Sequence, residues 1–152
     1  MSPHHSLAAA CFAAGFVPLA AAAQDTIKIG FPMPLSGPAA VYGVPVTKGA
    51  EMAVQEINAK GGVLGRPIQV IFEDTRGQPE EGTAAAEKLI SDEHVVAITG
   101  EFHSSVFLAE MEVAHNAGIP IIAVDEWALK ITAKGYPEVF RVAPNQALIA
   151  TK

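Results

Sequence analysis

Short apolar runs alternate with amphipathic segments along most of this chain. Uninterrupted apolar runs rich in β-branched residues predict strands that are buried on both faces. Apolar residues at helical spacing in the intervening segments predict that a helix follows each strand. We therefore predict an α/β fold in which a parallel sheet is doubly wound, with helices on both faces. The predicted strands are residues 26–32, 68–73, 95–99, 120–124 and 139–143.

The first predicted helix runs from Thr47 to Lys60 and stops at Gly61-Gly62, which favour a left-handed cap. A loop rich in proline and glycine, residues 34–45, precedes it. Its apolar face is formed by Ala50, Ala53, Val54 and Ile57.

Four further helical segments are predicted. One begins at Pro79, because proline suits a first helical turn, and it buries residues 85, 86, 89 and 90. The next runs from about Ser105 to Asn116 and ends at Gly118. A short helical turn covers residues 127–133, and another helix starts after Pro144.

The first 23 residues differ from the rest of the chain because they contain no Asp, Glu, Lys or Arg. Their apolar stretch ends in small residues up to Ala23, which predicts a signal peptide over residues 1–23, cleavage after Ala23 and a periplasmic location. Gly15 and Pro18 interrupt the stretch and disfavour a retained membrane helix, so we expect no stable membrane insertion after cleavage. The alternatives are a buried alanine-rich helix and a lipoprotein anchored at Cys11.

Composition excludes several classes of protein. The formal net charge of −6 argues against nucleic acid as a partner, since such binding needs a basic face. A single cysteine permits neither an intrachain disulfide nor a cysteine-based metal site. The sequence contains no dinucleotide fingerprint, phosphate loop or nucleophile elbow, and its histidines are not at metal-ligand spacing. We therefore predict no cofactor, no metal ion and no enzymatic activity.

Ligands of open parallel sheets bind beyond the carboxyl ends of the strands. This rule selects the loops at residues 34–45, 74–78, 100–105 and 125–127 as candidate ligand contacts. The third of these leads from a strand directly into a helix, whose free N–H groups favour an anion. They would form a seat for a carboxylate together with Phe102, His103, Ser104 and Ser105. The alternative is that a serine only caps the helix.

The fourth loop places Asp125 and Glu126 beside Trp127, the only tryptophan. A carboxylate there would hold a ligand ammonium, and the indole would cover a cation or an apolar tail. The alternative is an acidic helix start next to a core tryptophan. A hydrolase built on His103, Ser104 and Asp125 is a further alternative, which the adjacency of His103 and Ser104 disfavours.

Two motifs carry a resemblance to a known family. PLSGPAAVYG at residues 34–43 and GAEMAVQEINAKGGVLG at residues 49–65 resemble the start of mature type 1 periplasmic solute-binding proteins, leucine/isoleucine/valine-binding group. GIPIIAV and KGYPEVFRVAPN, further along, are also similar to that family.

The resemblance implies a two-lobed protein that closes on an amino acid or related small carboxylate or amide and delivers it to the permease of an ABC importer. Residues 24–143 would form the first lobe, which would be incomplete, and residues 144–152 the start of a crossover to a second lobe. Ser104 matches the serine that binds the ligand carboxylate, and Tyr42 matches a residue that lines the cleft. Trp127 stands where the family has a ligand-binding threonine. A cytoplasmic amide or amino-acid sensor of the same fold is the alternative.

Overall fold

The computed structural model describes residues 25–150, which form one parallel sheet with helices between its strands. The predicted signal peptide, its cleavage site after Ala23 and Cys11 lie outside the described residues. No helix within residues 25–150 is long and apolar enough to cross a membrane. In chain order the elements are β1 (Ile27–Met33), α1 (Ala40–Ala59), β2 (Ile68–Asp74), α2 (Pro79–Ser91), β3 (Ala97–Gly100), α3 (Ser104–Ala117), β4 (Ile121–Ala123), α4 (Lys130–Ala133), β5 (Val139–Arg141) and α5 (Gln146–Ala150).

The sheet has the order β2-β1-β3-β4-β5, and every pair is parallel. The chain moves outward from β1 to β2 and then crosses back over β1 to β3. Because such crossovers are right-handed, α1 and α2 lie on opposite faces of the sheet. The α/β doubly wound fold predicted from the sequence is therefore confirmed.

The hydrophobic core lies between the sheet and the pair of helices α2 and α3. Leu89, Phe107 and Met111 from these helices are fully buried against Ile98 and Ile121 of the sheet. Gly82 of α2 permits this close packing, because a Cβ added there would lie 2.4 Å from Val106 Cγ1. The predicted helix starting at Pro79, with residues 85, 86 and 89 buried, is confirmed. The predicted stop of α3 at Gly118 is also confirmed, with φ at 69°.

Helix α1 differs from the prediction in where it begins and in which face it buries. It begins at Ala40, so the residues that follow Ala39 in the predicted loop are helical and Pro45 lies inside the helix. Pro45 is only the sixth helical residue, where its missing N–H removes a single hydrogen bond.

The predicted buried face of α1 is also rotated. The side-chain amide of Asn58 donates to Ile68 O at 2.8 Å and accepts from Ile68 N at 2.7 Å, which fixes the end of α1 against β2. The buried residues of α1 are Gly43 and Thr47. Ala53 is consequently exposed, and Ile57 is 37% exposed.

Candidate functional site

A cavity of about 290 Å³ opens beyond the carboxyl ends of β3, β4 and β5. Its position is that expected for a ligand site in an open parallel sheet. The cavity is lined by Phe102, Ser104, Asp125, Trp127, Ala128 and Gln146. Four of these residues were predicted from the sequence as ligand contacts, and the fold brings them together from two separate loops.

Ser104 is the first residue of α3, and its environment leaves hydrogen-bond donors free. Its Oγ accepts a hydrogen bond from the Ala128 backbone N–H at 3.3 Å, so its own proton is available to a ligand. The backbone N–H groups of Ser104 and Ser105 have no acceptor among residues 25–150. The side chain of His103, the residue before the helix, makes no cap hydrogen bond. The amino end of α3 is therefore suited to an anion.

Asp125 and Trp127, from the loop after β4, form another part of the lining. The carboxylate of Asp125 is exposed and has no hydrogen-bond or ion-pair partner among the described residues. Trp127 is 47% exposed, although the alternative prediction made it a core residue. It precedes α4 rather than lying within it, because that helix begins only at Lys130.

Tyr42 does not line the cavity, but its ring packs against that of Phe102, which does. The two rings are stacked, with centroids 4.8 Å apart and an interplanar angle of 10°. The early start of α1 is what places Tyr42 there, since the residue lies in the first turn of that helix. Tyr42 therefore supports the Phe102 ring from the side of α1.

Besides Tyr42, three predicted contacts lie away from the lining. His103 turns toward the loop after β2, and a Cβ on Gly77 would come within 2.7 Å of its Cε1. Ser105 is exposed and does not line the cavity, although its backbone N–H has no acceptor among residues 25–150. Glu126 is fully buried beneath the loop. The roles of these residues as ligand contacts remain predictions.

A hydrolase triad is not assembled here. His103 Nδ1 lies 3.3 Å from Glu101 Oε1, and neither ring nitrogen bonds Ser104 Oγ among the described residues. Within residues 25–150, moreover, no group of three or more potential ligand side chains is placed to hold a metal ion.

Buried carboxyl groups underlie the cavity, and the sequence analysis missed two of them. Glu101 accepts hydrogen bonds from Thr75 Oγ1 at 2.8 Å and from the His103 backbone N–H at 2.9 Å. These bonds hold Glu101 at a φ of 70°, which is unusual for a residue other than glycine. Glu110 of α3 is also fully buried, and neither of its carboxyl oxygens has a partner among the described residues.

Burial changes the protonation of two of these groups. Burial, followed by repulsion from Glu101 and Glu126, raises the pKa of Glu110 well above its usual value. Burial is also the main reason that the pKa of Glu126 rises to about 8, against the opposing effect of backbone hydrogen bonds. Glu126 is therefore mainly neutral at pH 7, and burial favours the neutral form of Glu110 as well.

Two more residues of the site were not foreseen. Gln146 reaches the cavity because its backbone N–H bonds Trp127 O at 2.9 Å, an interaction with no local sequence signal. Arg141 at the end of β5 donates from Nη2 to Ala128 O at 2.5 Å and so fixes the backbone behind Ser104.

Comparison with known proteins assigns the family. The sequence profile of the family described as periplasmic binding protein matches residues 26–151. The Leu/Ile/Val-binding protein BraC3 of Rhizobium johnstonii is 36% identical over 140 residues, which cover 90% of this chain and 37% of that protein. The Leu/Ile/Val-binding protein of Escherichia coli K12 is 34% identical over 136 residues, which cover 90% of this chain and 36% of that protein. This chain belongs to the periplasmic binding protein family, and it spans little more than a third of the length of these relatives.

Solved structures agree with this assignment. LivJ, a branched-chain amino acid transporter substrate-binding protein of Streptococcus pneumoniae solved with isoleucine, superposes with a TM-score of 0.75 at 35% identity, covering 80% of this chain and 34% of that chain. A leucine complex of an ABC transporter substrate-binding protein from Desulfitobacterium hafniense has a TM-score of 0.75 at 29% identity, covering 83% of this chain and 36% of that chain. These homologues are binding proteins rather than enzymes.

Proposed function

We propose that this chain is the first lobe of an extracytoplasmic solute-binding protein that captures an amino acid or a related small carboxylate for an ABC importer. The lobe supplies binding contacts and no catalytic group. The permease of the importer and a second lobe would be its partners. Named relatives that bind leucine, isoleucine and valine support this class of ligand.

The amino end of α3 is the observation that carries the proposal. Ser104 lines a cavity at the carboxyl edge of the sheet, and its hydroxyl proton is available to a ligand. The backbone N–H groups of Ser104 and of the next residue, Ser105, have no acceptor among residues 25–150. A carboxylate placed there accepts several hydrogen bonds and also benefits from the positive end of the helix dipole. The alternative role of Ser104 as a simple cap has less support, since no cap hydrogen bond from its side chain is present.

Trp127 makes binding measurable without a label, because the only tryptophan of the chain lines the cavity. Titration of the 152-residue chain with L-leucine should change the fluorescence of Trp127 in a saturable way. Ser104→Ala should weaken binding by about tenfold, as expected for loss of a hydrogen bond to a charged group. Ser91→Ala at the distant end of α2 is the matched control and should bind as the unmodified chain does.

Three results would contradict the proposal. They are an absence of saturable binding by any α-amino acid, equal binding by the two serine variants, and hydrolytic turnover that depends on Ser104.

The extracytoplasmic location has its own test. Residues 1–30 fused to a reporter enzyme that is active only outside the cytoplasm should give activity if the predicted signal peptide directs export. An inactive fusion would instead favour the cytoplasmic sensor, and deletion of residues 7–23 provides the negative control.

A further inference from the structure

We infer that Asp125 makes the cavity selective for ligands with a positively charged nitrogen, so that zwitterions bind and carboxylates lacking an ammonium group are rejected. This inference rests on the proposed function, since it assumes that a ligand carboxylate occupies the amino end of α3. It adds a specificity-determining residue in the lining of the same cavity.

The charges around the cavity support this selectivity. The residues that line it include Asp125 but no lysine, arginine or histidine. The nearby Arg141 lies behind the lining, where it donates to Ala128 O, and it makes no ion pair with Asp125. The carboxylate of Asp125 is exposed and has no cationic partner among the described residues. Its negative charge is thus available to a ligand and unfavourable to a second anion.

The neighbouring acids do not provide this charge. Glu126 is buried, and its pKa of about 8 leaves it mainly neutral at pH 7. Glu101 is buried beneath the loop and does not line the cavity, and both of its oxygens accept hydrogen bonds from Thr75 and His103. Asp125 is therefore the carboxylate that a ligand in the cavity can contact.

Aromatic rings next to Asp125 add to the preference for a cation. Phe102 and Trp127 both line the cavity, and the Phe102 ring is held in place by its stack on Tyr42. The faces of aromatic rings attract cationic nitrogen, and the indole does so most strongly. A ligand ammonium next to Asp125 would therefore meet a carboxylate and aromatic surface together.

A matched series of ligands separates the contributions of the two charges. L-leucine carries both charges, 4-methylpentanoate lacks the ammonium, and 3-methylbutylamine lacks the carboxylate. Binding to the 152-residue chain is followed by Trp127 fluorescence and by the NMR signals of the Ser104 and Ser105 amides, which also detect weak binding. We expect L-leucine to bind at least about tenfold more tightly than 4-methylpentanoate, the effect of one charge-assisted contact.

Asp125→Asn gives the decisive result because it should act with opposite sign on two ligands. L-leucine loses its counter-charge and should bind more weakly, whereas 4-methylpentanoate is relieved of repulsion and should bind more tightly. Damage to the loop would instead weaken both ligands. Asp92→Asn, an exposed aspartate at the end of α2, is the control and should change neither affinity.

The outcomes also distinguish the two proposals. If 4-methylpentanoate binds as tightly as L-leucine, or if Asp125→Asn weakens both equally, the role of Asp125 is wrong and capture of a carboxylate still stands. If none of the three ligands perturbs Ser104 or Trp127, the proposed function fails together with the inference drawn from it.

Discussion

Two carboxyl groups at the carboxyl edge of the sheet show how differently a single side chain can stabilise this protein. Asp74 is partly exposed and accepts hydrogen bonds from Leu35 N at 2.9 Å, Ser36 Oγ at 2.5 Å and Arg76 N at 2.9 Å. Glu126 is buried, and one of its oxygens has no partner among the described residues. The first group is stabilised as an anion and the second as a neutral acid.

Stability should fall with rising pH because of Glu126. Its pKa is about 8 in the folded protein and 4.5 without burial, so the folded state holds the proton more strongly. This contribution is complete below pH 4.5 and is lost as the pH rises to about 8. Between pH 5 and 8, the melting temperature of Glu126→Gln should fall less with rising pH than that of the unmodified chain. Glu80→Gln, exposed in the first turn of α2, should keep the original slope.

Asp74 should have the opposite effect. Burial raises its pKa, but hydrogen bonds from Ser36, Arg76 and Leu35 outweigh this and leave the pKa below 3.8. The stabilisation is present above that pH and is lost as the pH falls through the lowered value. Asp74→Asn should reduce the free energy of unfolding by about 1 kcal/mol at pH 7 and by less in acid. An equal loss at pH 3 and pH 7, measured by urea unfolding, would contradict this account.

At the scale of elements, the contact between α2 and α3 depends on the absence of a side chain at Gly82. Gly82→Ala would place a Cβ 2.4 Å from Val106 Cγ1, in a fully buried contact. We expect a loss of about 1–3 kcal/mol in the free energy of unfolding, as for other overpacked cores. Gly49→Ala is the matched control in α1, where no atom lies within 4 Å of the added Cβ. It should instead stabilise the protein by about 0.5–1 kcal/mol through helix propensity. Urea unfolding of both variants tests the pair.

The order of the elements was predictable from the sequence because each strand is a short apolar run and each helix has a local start or stop. The start of α1 was not predictable, because glycine and proline are typical of loops and only the packing of Gly43 against Pro34 explains why Gly43 and Pro45 are helical. Ser104, Asp125 and Trp127 were predictable as loop residues at strand ends. Glu110 was not, since a glutamate at helical spacing usually faces solvent and only the α2–α3 packing buries it.

For the whole molecule, the sheet order protects the inner strands β1, β3 and β4 more than the edge strands β2 and β5. β1 is paired with β2 on one side and β3 on the other, whereas β5 has one neighbour among the described strands. Helix α1 covers only β1 and β2, and Phe140 of β5 is 52% exposed. The prediction that both faces of every strand are covered is thus wrong for β5 within the described residues.

Hydrogen exchange should reflect this gradient. Amides of β1 and β3 should exchange most slowly, because their opening requires global unfolding, and those of β5 should exchange faster through local opening. Exchange measured residue by residue by NMR checks the order. Equal protection of β1 and β5 would mean that the sheet opens only as a single unit.

The bonds around Glu101 have a consequence for efforts to exchange the cargo preference of such proteins. The loop that enters α3 is fastened to its neighbour through Thr75 Oγ1, and the His103 ring occupies the space above Gly77. Moving this loop into a homologue that lacks Thr75 and Gly77 would remove the partner of Glu101 Oε2 and leave the His103 ring without room. The loops at residues 74–78 and 100–105 therefore have to be exchanged together.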